Sequence, residues 1–464
     1  MINIINIIKK KTNNNSDIIY RIKNINNINL YILYSESLTS SSTISDYIIR
    51  SLNIIEKKYH NKTNLYNIIK NNLDSSKITE QTDYNKLSYY LNNGFTIILI
   101  ENNKKYLTIE TKRNLSRTVA NPLTETTLRS ASDSFVEDIQ TNTGLIKRRI
   151  KTNNLHKIDT IIGNISKTNI SLFYLNNITN KSLVKKVIKR LNSIKTDAII
   201  DIGTIKNLIE NETKSIFPTI STTERPDRAC NALLEGKIVI IIDTLSFVLI
   251  LPNFFNDNFK SMDDNYGKSI NVTLTRIIRY LSFFITILTP AIYIALTTFN
   301  QDILPTNILI NIATQRAQVP LPTFFEALLM MLSFEILRES DLRIPGISNS
   351  ALSIVGALII GDAAVSAGIV SPIMIIIISI TAITSLLFSE PEFIYAIRWY
   401  RLIFMISAAI SGIIGVTFIF IYLLINLSYL TSFNLPYLMP YIPTSINGLK
   451  NSIIKLPIKR NDSN

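Results

Sequence analysis

An α/β soluble head of two small subdomains, followed by an all-α transmembrane bundle of four spans and one short amphipathic or re-entrant helix, is the fold this sequence predicts. Three observations carry it. Charge is concentrated before Arg276, which closes a stretch with 38 Lys+Arg and 25 Asp+Glu, against 10 and 9 beyond it. Long apolar runs begin at Ile277: Ile277–Phe299, Ala351–Val370, Ser371–Phe388 and Leu402–Ile425. Each approaches the roughly 20 apolar residues a helix needs to cross a bilayer. Upstream of them, short β-branched runs alternate with helical periodicity.

The head is taken in order. Residues 1–20 are expected to be disordered and 21–132 to form a first subdomain with its linker; 133–275 is the second, 276–428 the bundle and 429–464 a tail. Leu30–Tyr34 reads as a strand, and Thr43–Lys57 as a helix with Ile44, Tyr47, Ile48, Leu52 and Ile55 on one face. Phe95–Ile100 and Tyr106–Glu110 read as a hairpin. Lys112–Ser132 breaks the periodicity and reads as a linker. A helix is expected to open at Ser134 with capping-box spacing and end in Lys147, Arg148 and Arg149. Ile170–Leu175 is a strand, Ser182–Ile194 a basic helix, and Ile205–Glu210 another helix. Pro226 starts a helix that Gly236 stops, and Ile238–Ile242 pairs with Phe247–Leu251.

Composition narrows the function classes. The head carries +13 of a net charge of +14, which suits an anionic lipid surface, and no nucleic-acid-binding motif accompanies it. One cysteine, Cys230, excludes an intrachain disulfide. His60 and His156 build neither a metal site nor a catalytic triad, and no phosphate-binding Gly-rich loop occurs, so neither an enzyme nor a cofactor is expected. The N-terminus lacks the layout of a signal peptide, so the head is expected to stay on the side where it is made. Lys260, Lys268, Arg276 and Arg279 precede the first span, Asn300–Pro320 has only Arg316, and the tail carries Lys450, Lys455, Lys459 and Arg460. By the positive-inside rule head and tail are both cytoplasmic.

Within the bundle, Ser353, Ala357, Gly361, Ala364 and Gly368 form a small-residue stripe, fit either for packing inside the chain or for an interface between copies. Asp362 beside it is a carboxylate in an apolar run, expensive in hydrocarbon. It reads either as a cation-attracting position or as half of a local hydrogen-bonded pair. Phe324–Leu337 is short for a crossing; its Glu326 and Glu335 point to opposite faces. Across an oligomer either carboxylate could line an acidic ring, while Glu335 also reads as a structural partner of a nearby Arg. Pro290, Gly412 and Gly415 mark kinks in the first and last spans, and Trp399, Tyr395 and Tyr400 beside Arg398 and Arg401 read as an interfacial anchor.

Three blocks in order are distinctive: SFVEDIQTNTGLIKRRI from Ser134 to Ile150; TERPDRACNALLEG from Thr223 to Gly236, with FVLILP from Phe247 to Pro252; and a series from Leu304 to Pro372 that includes FEILRE and SIVGALIIG. In order and spacing they resemble the A subunits of GerA-type spore germinant receptors, from about Ser130 onward. The resemblance picks out Glu224, Arg225, Pro226, Asp227, Glu235 and Gly236 as the family motif. It implies a multi-pass protein of the spore inner membrane and a homo-oligomeric ion channel opened by nutrient. It also implies two partners, a transporter-like B subunit that binds the nutrient and a C-subunit lipoprotein. Asp362 departs from the uncharged polar residue usual in the family. A non-conducting scaffold is the alternative; a secondary transporter is disfavoured because no repeat of broken helices is seen in the membrane half.

Overall fold

The computed structural model describes residues 15–59, 65–75, 77–101, 103–113, 122, 125, 131–210, 215–343, 360–444 and 446–455. The chain divides into two compact units: residues up to Thr213 with Ile220–Pro252, and Lys214–Thr219 with everything from Asn253.

The first unit contains two five-stranded antiparallel sheets built on one plan. The first sheet takes β1 (Ile18–Ile25), β2 (Ile28–Ser35), β3 (Ile78–Gln81), β4 (Phe95–Ile100) and β5 (Tyr106–Glu110) in the order β1-β2-β4-β5-β3. The second takes β6 (Leu155–Ile162), β7 (Thr168–Leu175), β8 (Ser221–Thr223), β9 (Ile238–Ile242) and β10 (Val248–Leu251) in the order β6-β7-β9-β10-β8. Each is a hairpin, two helices, an edge strand, one helix and a second hairpin. In the first copy the helices are α1 (Arg50–Lys58), α2 (Leu65–Asn72) and α3 (Leu87–Leu91). Helix α4 (Ile139–Arg149) precedes the second copy, whose own are α5 (Lys181–Ser193), α6 (Ile202–Ile209) and α7 (Pro226–Leu234).

Three expectations for this unit change. Ile18–Tyr20, assigned to the disordered N-terminus, lie in β1, whose register with β2 runs from Ile18 opposite Ser35 to Ile25 opposite Ile28. The helix expected at Ser134 starts at Ile139, because Asp138 rather than Ser134 accepts from the backbone at Gln140 (3.3 Å) and Thr141 (2.9 Å). The edge strands β3 and β8 and the hairpin partner β6 were not foreseen. Apolar burial holds each half: Ile44, Ile48, Leu52 and Ile69 cover one face of the first sheet, and Leu145, Ile146, Ala229 and Leu233 cover Val239 and Ile241 in the second.

The N-terminal strand region is tied to the second sheet. Asn15 and Ser16 donate side-chain bonds to the carbonyls of Leu155 and Lys157, each at 3.1 Å. Asp17, fully buried, forms an ion pair with Lys147 on α4 and accepts from Ser37 N–H at 3.2 Å and Ser37 Oγ at 2.9 Å. Burial alone would raise the Asp17 carboxyl. The Lys147 charge and the hydrogen bonds outweigh it and hold Asp17 below the ordinary carboxylate range.

The second unit is helical: α8 (Ser269–Thr298), α9 (Thr306–Arg316), α10 (Thr323–Arg343), α11 (Pro372–Ser385), α12 (Pro391–Tyr429) and, in the tail, α13 (Ile446–Ile453). Among the described residues two helices, α8 and α12, are long and apolar enough to cross a membrane. The expectation of a single last span over Leu402–Ile425 fails. At Gly412 the backbone turns to φ +59°, ψ −142°, and the chain folds back on itself. Asn426 Nδ2 donates to Tyr400 Oη at 2.5 Å. In one straight helix these residues would lie about 39 Å apart. Residues 391–411 and 413–429 are therefore the antiparallel arms of a helical hairpin. Gly415 lets the arms close, since a Cβ there would lie 2.5 Å from the Ser407 carbonyl oxygen.

Helix α10 is also longer than its apolar seam predicted, running 21 residues from Thr323 to Arg343. Thr323 lies beside Thr297 near the end of α8, and Glu335, twelve residues on, meets Arg401. Helix α11 runs the same way: Ser371 meets Glu326, while Thr384 bonds Thr286 at 2.7 Å, nearer the start of α8. The tail returns to that starting end, where Tyr441 Oη lies 2.6 Å from Tyr280 Oη and Lys455 N–H donates to Thr273 Oγ1 at 3.1 Å.

Candidate functional site

Two groups of residues were singled out by sequence, one in each unit. In the α/β unit, Glu224, Arg225, Pro226 and Asp227 lie at the β8–α7 junction, where Pro226 fills the first helical turn. Arg225 is almost fully buried. Its guanidinium bonds Asp227 at 2.8 and 3.1 Å, the Glu125 carbonyl at 3.0 Å and the Ala131 carbonyl at 2.9 Å. The Glu224 carbonyl accepts from Phe135 N–H at 2.7 Å and Ser134 Oγ at 3.1 Å, and its carboxylate accepts from Glu125 N–H at 2.9 Å. Arg228 completes the group by pairing with the Glu125 carboxylate. Asp227, in the first turn of α7, and Arg228 are thus parts of a clamp. Planar guanidinium groups bind carbonyls and carboxylates from fixed directions, which suits them to grip Glu125 and Ala131. Glu235 is half exposed and pairs with Lys237 at 3.6 Å, and Gly236 forms the turn into β9.

Nearby, Cys230 is buried and its thiol is pushed up to about 12, chiefly by burial. His156 stacks on Tyr174 with ring centres 5.2 Å apart, and burial lowers its pKa. His60 lies outside the described residues. No group of three metal-ligating side chains occurs among the described residues.

In the helical unit the three candidate carboxylates have different surroundings. Glu326 is fully buried. Its Oε1 accepts from Ser371 N–H at 2.6 Å and Ser371 Oγ at 2.5 Å, joining α10 to the N-terminus of α11. Its Oε2 has no donor among the described residues, and the buried Tyr293 hydroxyl interacts with the same Ser371. Tyr293 lies within electrostatic range of both Glu326 and Arg316. The two hydrogen bonds and the helix N-terminus engage one oxygen of this carboxylate, and the other remains open.

Glu335 is paired across the bundle. Arg401 Nη2 donates to its Oε1 at 2.8 Å, and Arg398 Nε lies 3.1 Å from its Oε2. The expected local partner, Arg338, is within electrostatic range, but the close contacts come from α12. Arg398 and Arg401, read as parts of an anchor, are therefore ion-pair residues, and Tyr400 is buried with its ring stacked on Phe217 at 5.3 Å. Asp362 is exposed. It lines a cavity of about 880 Å³ with Ser333, Arg338, Gly361 and Ser379. Of the small-residue stripe, Gly361 and Ala364 lie on the helical residues 360–366, and Gly368 falls in the turn beyond them. Ser353 and Ala357 lie outside the described residues.

Against these features the comparisons with known proteins are decisive for ancestry. The family model described as Bacillus/Clostridium GerA spore germination protein matches residues 6–464. The chain belongs to the GerA spore germination family. It is 38% identical over 454 residues to spore germination protein KA of Bacillus subtilis (strain 168), covering 97% of this chain and 83% of that protein. It is 35% identical over 447 residues to the uncharacterized membrane protein YfkQ of the same strain, covering 95% and 86%. The crystal structure of the N-terminal domain of the A subunit of the Bacillus megaterium spore germinant receptor GerK3 is 32% identical, covering 54% of this chain and 94% of that one, with a TM-score of 0.43. The family that the sequence blocks resemble is the one the family model and these relatives show.

Sequence reasoning missed three residues of this GerA chain. Asn300 accepts from Ile413 N–H at 3.1 Å and so caps the break at Gly412. Phe217 fills an aromatic cluster with Phe255, Phe393, Tyr400 and Tyr437. Asp264 binds Arg276 at 2.8 Å and Arg279 at 2.9 Å, two of the cations counted for membrane orientation. An Asn just past a long apolar helix and a Phe before a Pro were visible signals; the partners of Asp264 were not.

Proposed function

We propose that this GerA chain is the A subunit of a nutrient-responsive germinant receptor in the spore inner membrane. Assembled copies form a path for cations, which opens when a transporter-like B subunit binds nutrient; a lipoprotein C subunit completes the receptor. The name of one relative, a membrane protein, and the apolar lengths of α8 and α12 support the membrane placement. Hydropathy alone suggested four crossings. With α10 added and the last span replaced by two arms, six is the better count. Either number is even, in keeping with a tail that packs at the end where α8 begins. By this reading head and tail both face the spore core.

The observation that carries the conducting reading is Glu326. A carboxylate buried between apolar helices, with one oxygen open, suits transient contact with a cation more than simple packing. Asp362, exposed on a cavity wall, is a second candidate along such a path, and the stripe from Ser353 to Gly368 a candidate contact between copies. The scaffold reading has its own support: Glu335 is held by two arginines and contributes little to an acidic ring.

The test is cation release from spores lacking this chain, across single nutrients, with complementation by the wild type and by Glu326→Gln. The expected result is loss of the response to one nutrient class, restored by the wild type. Glu326→Gln should accumulate normally yet release cations slowly. Full restoration by Glu326→Gln would favour the scaffold, and normal release from spores lacking the chain would remove the receptor reading.

A further inference from the structure

The pocket between α10 and the first arm of α12 has no assigned role. Its volume is about 600 Å³, and Leu332, Glu335, Tyr395, Arg398, Trp399 and Arg401 are among the residues that line it. Arg401 is only 3% exposed. Two guanidinium groups share one carboxylate here, and the sharing is incomplete. Arg401 Nη2 makes a well-formed bond to Glu335, but Arg401 Nε is buried with no acceptor among the described residues. Arg398 Nε lies near Glu335 Oε2 but off the hydrogen-bonding direction, so neither atom is satisfied. Each guanidinium offers five donors, and one carboxylate cannot accept them all. Arg338, three residues from Glu335, adds positive charge, while Glu339 on the exposed side subtracts some. Buried donors in excess on a pocket wall call for an anion with several acceptor oxygens.

The remaining walls narrow the choice. Leu332 and Trp399 are both more than half exposed, and Arg398 lies over the Tyr395 ring at 5.2 Å. Exposed Trp and Tyr beside arginines at the edge of an apolar helix are the usual neighbours of lipid headgroups. We infer that this pocket binds a phosphate ester, held by Arg398 and Arg401, with Trp399 and Leu332 against the organic part. An anionic phospholipid headgroup fits both the polar and apolar walls; a soluble phosphate fits the arginines alone. The inference needs the bundle to sit in lipid but does not depend on conduction.

Trp399 is the one tryptophan of the chain and lines the pocket, so it reports occupancy directly. The full-length chain is placed in nanodiscs of phosphatidylcholine, doped in turn with brominated phosphatidylglycerol or brominated phosphatidylcholine, and Trp399 quenching is followed against mole fraction. The expected result is half-maximal quenching by phosphatidylglycerol at a mole fraction lower by about fivefold per arginine engaged. Arg398→Gln should lose about that factor, and Arg398→Lys should recover part of it. Glu335→Gln with Arg401→Gln, which removes a whole ion pair, separates loss of binding from loss of fold, since its far-ultraviolet circular dichroism should be unchanged. Inorganic phosphate is added in a parallel arm. Failure to relieve the quenching assigns the site to lipid, and relief at millimolar phosphate assigns it to a soluble phosphate. Equal quenching by the two lipids, unaffected by Arg398→Gln or by phosphate, overturns the proposal.

Discussion

Replacing Gly412 by alanine should unlock the helical hairpin. At φ +59°, ψ −142°, the backbone occupies a region essentially closed to residues with a side chain, at a penalty of about 1–3 kcal/mol. The new methyl would also collide with its surroundings. A Cβ at this position would lie 2.6 Å from Asn300 Oδ1 and 2.7 Å from Phe299 Cβ, and Asn300 cannot withdraw without giving up its bond to Ile413 N–H. Crowding of this kind costs a further ~1–3 kcal/mol. Together these remove about 2–6 kcal/mol from a unit whose whole stability is on the order of 5–15 kcal/mol. Trp399 lies on the first arm, so its emission follows melting of the hairpin in detergent. A fall in melting temperature of roughly 5–20 °C is expected. Gly361→Ala is the control, because among the described residues its Cβ would meet only the Ile375 side chain, at an ordinary 3.9 Å. If Gly412→Ala melts together with the parent and with Gly361→Ala, the fold-back at Gly412 is wrong.

Three further outcomes are expected. With Cys230 replaced by serine, Tyr400→Cys and Asn426→Cys together should be joined by a short bifunctional maleimide cross-linker; a straight helix would hold them about 39 Å apart, beyond its reach. In the α/β unit, Asp17 has a folded pKa below its unfolded value, so its pairing stabilises above about pH 4 and is lost as the pH falls through the folded value. Asp17→Asn should therefore melt well below the wild type at pH 7, with the gap closing below pH 4; Lys147→Met, which strands the buried carboxylate, should cost about 3–5 kcal/mol at neutral pH. The wild-type Cys230 thiol, buried and held protonated, should resist thiol reagents at pH 8 until the protein is unfolded, as read by mass spectrometry.

Much of the head was legible because its signals are local. The all-apolar runs at Ile238–Ile242 and Val248–Leu251 could only be buried strands, and Pro226 with Gly236 framed α7. The strand β1 was lost because it lacks a clean alternation: Ile22 is exposed while the Lys23 side chain is largely covered, so only its pairing with β2 makes it a strand. The repeated plan of the two sheets emerges only from their shared strand order. In the bundle, hydropathy located apolar helix but not its direction. The run from Leu402 to Ile425 is apolar on both sides of Gly412, and the turn is fixed by Asn300, more than a hundred residues away. Glu335 shows the same limit. Its sequence neighbours Arg338 and Glu339 suggested a local pair, whereas Arg398 and Arg401 reach it from another helix. Glu326 was named from its position in an apolar run; that one of its oxygens is satisfied and the other open depends on Ser371 and needed coordinates.

The proposal stands or falls on conduction. The chain would be reconstituted with its receptor partners in potassium-loaded vesicles and ion efflux followed after addition of the nutrient identified from the spore panel. The account predicts efflux that requires this chain and the nutrient, and that slows with Glu326→Gln while nutrient binding is unchanged. Nutrient binding of normal strength with no efflux from the wild-type assembly would contradict it and leave the chain a scaffold.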